Sequence, residues 1–135
     1  QDFLSLLQSV DNFLYFGHGG GEGYLKSSTI RKTNINCNIF LIGCSSGKSC
    51  NPLDSFFDPT INPINYLWSG SSIVISTLWD ITDKDVDRIM LASLEEFLSS
   101  TTTTSQSLSN CLWKNNANCL LRNATGSSLV FYGIF

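Results

Sequence analysis

Charge is what this sequence has least of. Only 14% of its 135 residues are Asp, Glu, Lys or Arg, against 42% hydrophobic, a ratio that suits a domain packed against neighbours better than a free monomer. The eight Lys and Arg are scattered, as at Lys26, Arg31, Lys48 and Arg122, and the formal charge is −3. No basic stripe forms, so no direct nucleic-acid site is expected; a basic ligand fits the acidic balance better. Histidine occurs once, and the five cysteines include no Cys-x-x-Cys pair. A zinc site therefore lacks its ligands, and an odd number of cysteines closes no disulfide set. No metal and no cofactor is expected, and the thiols are predicted to be reduced in an intracellular setting. No apolar run approaches the ~18 residues of a membrane span, and no signal-like n-region is present. Neither secretion nor membrane association is indicated by this segment, and the sequon at Asn123-Ala124-Thr125 is read as chance.

A chain of this length can bury roughly two thirds of its unfolded surface in one core. It starts at Gln1 and ends on a strand-like run from Leu129, so we expect a single-domain segment, residues 1–135, cut from something longer. Phe3, Leu4, Leu6, Leu7 and Val10 have helical spacing. Apolar runs predict buried strands at Asn12 to Phe16, Ile39 to Ile42, Ser72 to Trp79 and Leu129 to Ile134. Asn62-Pro63 reads as a helix start, with Asn as cap and Pro at the first position, stopping at Gly70. Thr82 can cap a longer helix whose packed side carries Val86, Ile89, Met90, Leu94, Phe97 and Leu98. Residues 48 to 63 read as a loop with Pro52, Pro59 and Pro63, and the low-complexity stretch 99–110 as a disordered insert. The class is α/β, with a mostly parallel central sheet.

Two of these strands share one layout. Asn12-Phe13-Leu14-Tyr15-Phe16-Gly17 stops at His18, and Asn38-Ile39-Phe40-Leu41-Ile42-Gly43 stops at Cys44. Parallel strands ending this way can present a thiol and an imidazole at one sheet edge, where such folds place their sites. The chemistry is that of a cysteine nucleophile with its acid/base partner. Cys44 is flanked by small residues, and the backbone of Ser45-Ser46-Gly47 could point N–H groups at an oxyanion. The other four cysteines, Cys37, Cys50, Cys111 and Cys119, have no such frame. His18 sits among five glycines in residues 17–23, which free the backbone to approach a ligand. One imidazole can deprotonate the thiol and later protonate a departing amine, and the N–H groups of Gly19 and Cys44 could bracket the oxyanion.

Asp80, Asp83, Asp85 and Asp87 form the densest charge cluster, just past the third strand. Helix N-terminal charge explains one or two of them. An acid at the same edge as His18 and Cys44 would pair with a basic substrate side chain, most favourably Arg with its bidentate fork.

Three blocks carry a resemblance: Tyr15 to Tyr24 around His18, Leu41 to Gly47 around Cys44, and Leu78-Trp79-Asp80-Ile81-Thr82-Asp83-Lys84-Asp85-Val86-Asp87-Arg88. In that order, with Tyr66 to Gly70 and Gly126 to Gly133, they resemble the protease domain of separase over nearly the whole chain apart from 99–110. The resemblance implies a caspase-like (clan CD) three-layer α/β fold. It implies a thiol endopeptidase with a His18–Cys44 dyad that cleaves the kleisin subunit of cohesin after Arg, releasing sister chromatids at anaphase. The family's acidic arginine pocket carries over to Asp80, with Asp83 and Asp87 as companions, and Glu22 to ordering the His18 loop. A securin-like inhibitor and an upstream helical region of the same chain are the implied partners, in nucleus and cytoplasm. Two other readings compete. A CHAT-type caspase-like protease would share the His-Gly and Cys blocks but not the Asp-rich stretch Thr82 to Asp87. A catalytically silent interaction module would have no need of an intact His18 and Cys44.

Overall fold

The computed structural model describes residues 3–48, 61–99 and 105–133. Cys50, Pro52, Pro59 and most of the expected loop over 48–63 lie outside the described residues. Four strands form one sheet in the order β1 (Asn12–Phe16), β2 (Asn38–Ile42), β3 (Ile73–Thr77), β4 (Leu129–Gly133). The first three run parallel and β4 returns antiparallel to β3.

Alternation along β2 builds the three layers. Ile39 and Leu41 turn to one face, where they meet α1 (Phe3–Ser9), α2 (Ser27–Ile30) and α3 (Asn62–Trp68) through Leu7, Ile30 and Tyr66. Phe40 and Ile42 turn to the other, against α4 (Asp83–Ser99) and α5 (Ser105–Asn115), through Val86, Ile89, Met90, Leu108 and Leu112. Both faces of β2 and β3 are covered, so their sequences read as continuous apolar runs.

Four expectations change. The β1 strand is not buried: its residues alternate between exposed and half-buried, because it is the edge strand among the described residues and pairs on one side only. Residues 105–110 are helical rather than disordered. Leu108 and Leu112, one turn apart, bury against α4, and that packing outweighs the weak helix propensity of Ser and Asn. Residues 100–104 of the expected insert are not described. Leu98 is 76% exposed, since the helical period carries it out of the stripe of Val86, Met90 and Phe97. Finally, Asn62 does not cap α3. The N-cap is Ile61, with Pro63 in the first turn as expected, and the Asn62 amide is used elsewhere.

Asp85 explains part of the acidic cluster. It is 2% exposed, and its two oxygens accept the Leu120 and Leu121 N–H groups at 2.8 Å each, with Arg88 Nη1 at 3.3 Å. The Leu121 and Leu120 N–H groups, and to a lesser degree Arg88, hold its carboxyl below the usual range. A depressed folded-state pKa gives stabilisation that is complete above the unfolded value of about 3.9 and is lost as pH falls through the folded value. Asp85→Asn is therefore expected to melt below wild type at pH 7, with the gap narrowing below about pH 4. A gap that stays constant with pH in thermal melts would contradict this role.

Candidate active site

The register of β1 on β2 decides where the tips meet. Asn12 pairs with Asn38 and each later pair keeps the same offset, through Phe16 with Ile42. Gly17 N–H continues the ladder by donating to Ile42 O at 3.3 Å. His18 and Cys44 therefore both stand two residues past paired strand ends, at one edge of the sheet. The loops are brought together closely enough that a Cβ on Gly43 would sit 2.3 Å from the carbonyl oxygens of both Gly17 and Gly19.

After Gly43 the chain turns tightly and commits its own amides. Ser45 N–H donates to Trp79 O, Ser46 N–H to Gly43 O and Gly47 N–H to Thr77 O. Those three groups, expected to face an oxyanion, are consumed: Ser46 N–H closes the turn itself, and the Ser45 and Gly47 N–H groups dock it onto the end of β3 and the residues just past it. Among the described residues the N–H groups of Gly19 and Cys44 donate to none. Ser46 Oγ donates to Leu41 O and accepts Thr77 N–H, and Thr77 Oγ1 donates to Gly43 O. Cys44 is half-buried, with Sγ at 3.4 Å from both the N and the O of Ile81.

The histidine loop is braced from two sides. Tyr15 Oη donates to His18 O at 3.0 Å. On the other flank Glu22 accepts Gly20 N–H at 2.9 Å and Asn62 Nδ2 at 3.1 Å, and the same Asn62 nitrogen donates to Gly20 O at 3.0 Å. Glu22 thus orders the loop as expected. Gly19 takes φ of 60° there, in the left-handed region that glycine enters without strain. Asn62 escaped the sequence reading because an Asn before Pro satisfies the helix-cap signature equally well.

His18, Cys44, Asp83 and Asp87 line one cavity of about 380 Å³, with Phe16, Gly17, Ile42, Gly43, Ile81 and Val86 as the rest of its wall. Phe16 and Ile81 escaped the sequence reading; Phe16 precedes the histidine loop and its outward face could not be told from a strand taken as buried. Asp80, expected as the leading substrate carboxylate, does not line the cavity. β3 ends at Thr77, and the following loop doubles back over the Cys44 turn, so that Asp80 Oδ1 accepts Ser45 Oγ at 2.8 Å. No group of three or more His, Cys, Asp or Glu side chains fit to hold a metal occurs among the described residues.

The family model described as "Separin, protease domain" matches residues 1–86. The chain belongs to this family. Curated separins are similar along its length: the Schizosaccharomyces pombe protein is 37% identical over 145 residues, 99% of this chain and 7% of that protein. The Saccharomyces cerevisiae separin is 34% identical over 139 residues, 99% of this chain and 8% of that protein. Among solved structures, a chain of the Saccharomyces cerevisiae separase–securin complex at 3.0 Å superposes with a TM-score of 0.84 and 35% identity, over 97% of this chain and 8% of that one. A second structure of that complex, at 2.6 Å, gives 0.82 and 34%. The mostly parallel sheet with helices on both faces is the separase protease-domain fold, and the chain spans under a tenth of the relatives it matches.

Proposed function

We propose that this chain is the catalytic core of a separase, a cysteine endopeptidase that cleaves after Arg. The observation that carries the reading is the shared cavity in which His18, Cys44, Asp83 and Asp87 meet. His18 takes the proton of the Cys44 thiol, and Sγ attacks the carbonyl carbon of the scissile bond. The N–H groups of Gly19 and Cys44 hydrogen-bond the resulting oxyanion. The imidazolium then gives its proton to the departing amine, leaving a thioester that water hydrolyses with His18 as base. Asp83 and Asp87 hold the substrate guanidinium, each carboxylate offering two acceptors to its planar fork. No cofactor takes part.

The substrate by this reading is the kleisin subunit of cohesin, and cleavage releases sister chromatids at anaphase, in nucleus and cytoplasm. The separase–securin complexes among the structural neighbours support a securin-like inhibitor as a partner. A helical region upstream in the same chain supplies further substrate contacts. The Asp-rich stretch favours this reading over a CHAT-type protease, and the half-buried, cavity-lining Cys44 favours it over a silent module.

The test is hydrolysis of arginine-containing peptides by the full chain. Asp83→Asn and Asp87→Asn are each expected to raise KM for a peptide with Arg before the cleaved bond by about tenfold or more, since removing one partner of a close charge pair costs at least that. A peptide with Gln in that place should be cut poorly by wild type and variants alike. Unchanged preference for Arg over Gln in both variants would contradict the assigned pocket.

A further inference from the structure

The residue after the proposed nucleophile is strained. Ser45 has φ of 57°, a left-handed conformation that glycine takes freely and serine does not. Such a residue persists only where its surroundings hold it. Here the holder is Asp80: its Oδ1 accepts the Ser45 hydroxyl at 2.8 Å. The contact belongs to a series. Trp79 O accepts Ser45 N–H at 3.1 Å, Asp80 accepts Ser45 Oγ, and the backbone of Ile81 flanks Cys44 Sγ at 3.4 Å. Three consecutive residues thus grip the nucleophile and the residue after it. The grip has its own anchor, since Trp79 Nε1 donates to Ala124 O at 2.7 Å. The turn itself is docked on β3 beside this contact, with Gly47 N–H donating to Thr77 O and Ser46 Oγ accepting Thr77 N–H.

Resting on the protease reading, we propose that Asp80 is a positioning residue for Cys44 rather than a substrate ligand. Through Ser45 its carboxylate fixes the turn that aims the Cys44 N–H and sulfur at the reacting carbonyl. A serine stands at a glycine-like conformation because its hydroxyl is the handle on which that carboxylate acts.

The test compares Ser45→Ala, Ser45→Gly, Asp80→Ala, Asp80→Asn and the Ser45→Ala/Asp80→Ala double variant in the full chain with an arginine peptide. Ser45→Ala and Asp80→Ala should each lower kcat roughly tenfold at nearly constant KM, because an interaction felt at the reacting centre alone is lost. The double variant should be no worse than either single one. Asp80→Asn keeps an acceptor for the hydroxyl and should retain most of the activity. Ser45→Gly removes both the strain and the handle, so kcat should fall while the melting temperature holds or rises. A raised KM in Asp80→Ala and Asp80→Asn alike, with Ser45→Ala silent, would make Asp80 a substrate ligand and overturn the proposal. If wild type cleaves no peptide, the protease reading fails separately, and iodoacetamide labelling still decides the clamp. A change of about threefold or more in the Cys44 alkylation rate in Ser45→Ala and Asp80→Ala, absent in Asp80→Asn, supports it; equal rates in all four proteins overturn it.

Discussion

Cys44→Ser in the full chain is expected to lower cleavage of an arginine peptide by at least about 10³-fold while leaving peptide binding and the melting temperature near wild type. The hydroxyl replaces the thiol almost isosterically, and Cys44 is half-buried at the cavity rather than locked in the core, so no cavity or clash arises. What is lost is nucleophilicity, because a serine in this setting has a far higher pKa than a thiol and one imidazole activates it poorly. The buried thiols provide the control. Cys37, Cys111 and Cys119 lie inside the two packed faces or against them, where burial pushes each thiol pKa up. Serine at those positions should affect stability and leave the chemistry intact. Cleavage that survives Cys44→Ser, measured at matched concentration of folded protein, would contradict the assignment.

Gly43→Ala should have the second largest effect, and by a different route. Its Cβ would approach two backbone carbonyl oxygens, those of Gly17 and Gly19, to 2.3 Å. Neither can swing aside as a flexible side chain could. Either the histidine loop lifts from the cysteine turn or the β2 tip shifts, at roughly the 1–3 kcal/mol of overpacking or above. Since displacement by about 1 Å at a reacting pair can cost 10²-fold in rate, activity should fall at least that far even in protein that remains folded. Gly23→Ala is the matched control: a Cβ there meets nothing within 4 Å, and the change should stay within about 0.5 kcal/mol of neutral. Equal melting temperatures and rates for the two variants would show that the contact of the two loops does not matter.

The strands and the longest helix were legible because their signals are local and strong. The apolar run at Asn12 to Phe16 coincides with a strand and the run Ser72 to Trp79 contains one, Ile73–Thr77, and the Thr82-Asp83-Lys84-Asp85 sequence marks the start of α4. What escaped was pairwise. Nothing in Asn12 to Phe16 says that it is an edge strand, since exposure depends on which neighbour is present. A run rich in Ser and Asn from 105 becomes a helix only because Leu108 and Leu112 find α4. In the candidate site, sequence order brought His18 and Cys44 to attention through their twin strand ends. It could not separate four aspartates spaced within eight residues. Their different surroundings did so: Asp85 is tied to two backbone N–H groups, Asp80 to Ser45, and Asp83 and Asp87 face the cavity.

Covalent trapping tests directly whether Cys44 is the nucleophile of the cavity it shares with His18. The full chain is treated with a peptide that ends in arginine and carries an electrophile in place of the scissile bond, and the modified cysteine is located by mass spectrometry, in wild type and in His18→Ala. Adduct is expected on Cys44 alone, formed much more slowly without the imidazole. Comparable labelling of all five cysteines, or labelling of Cys44 at the same rate in His18→Ala, would contradict that role.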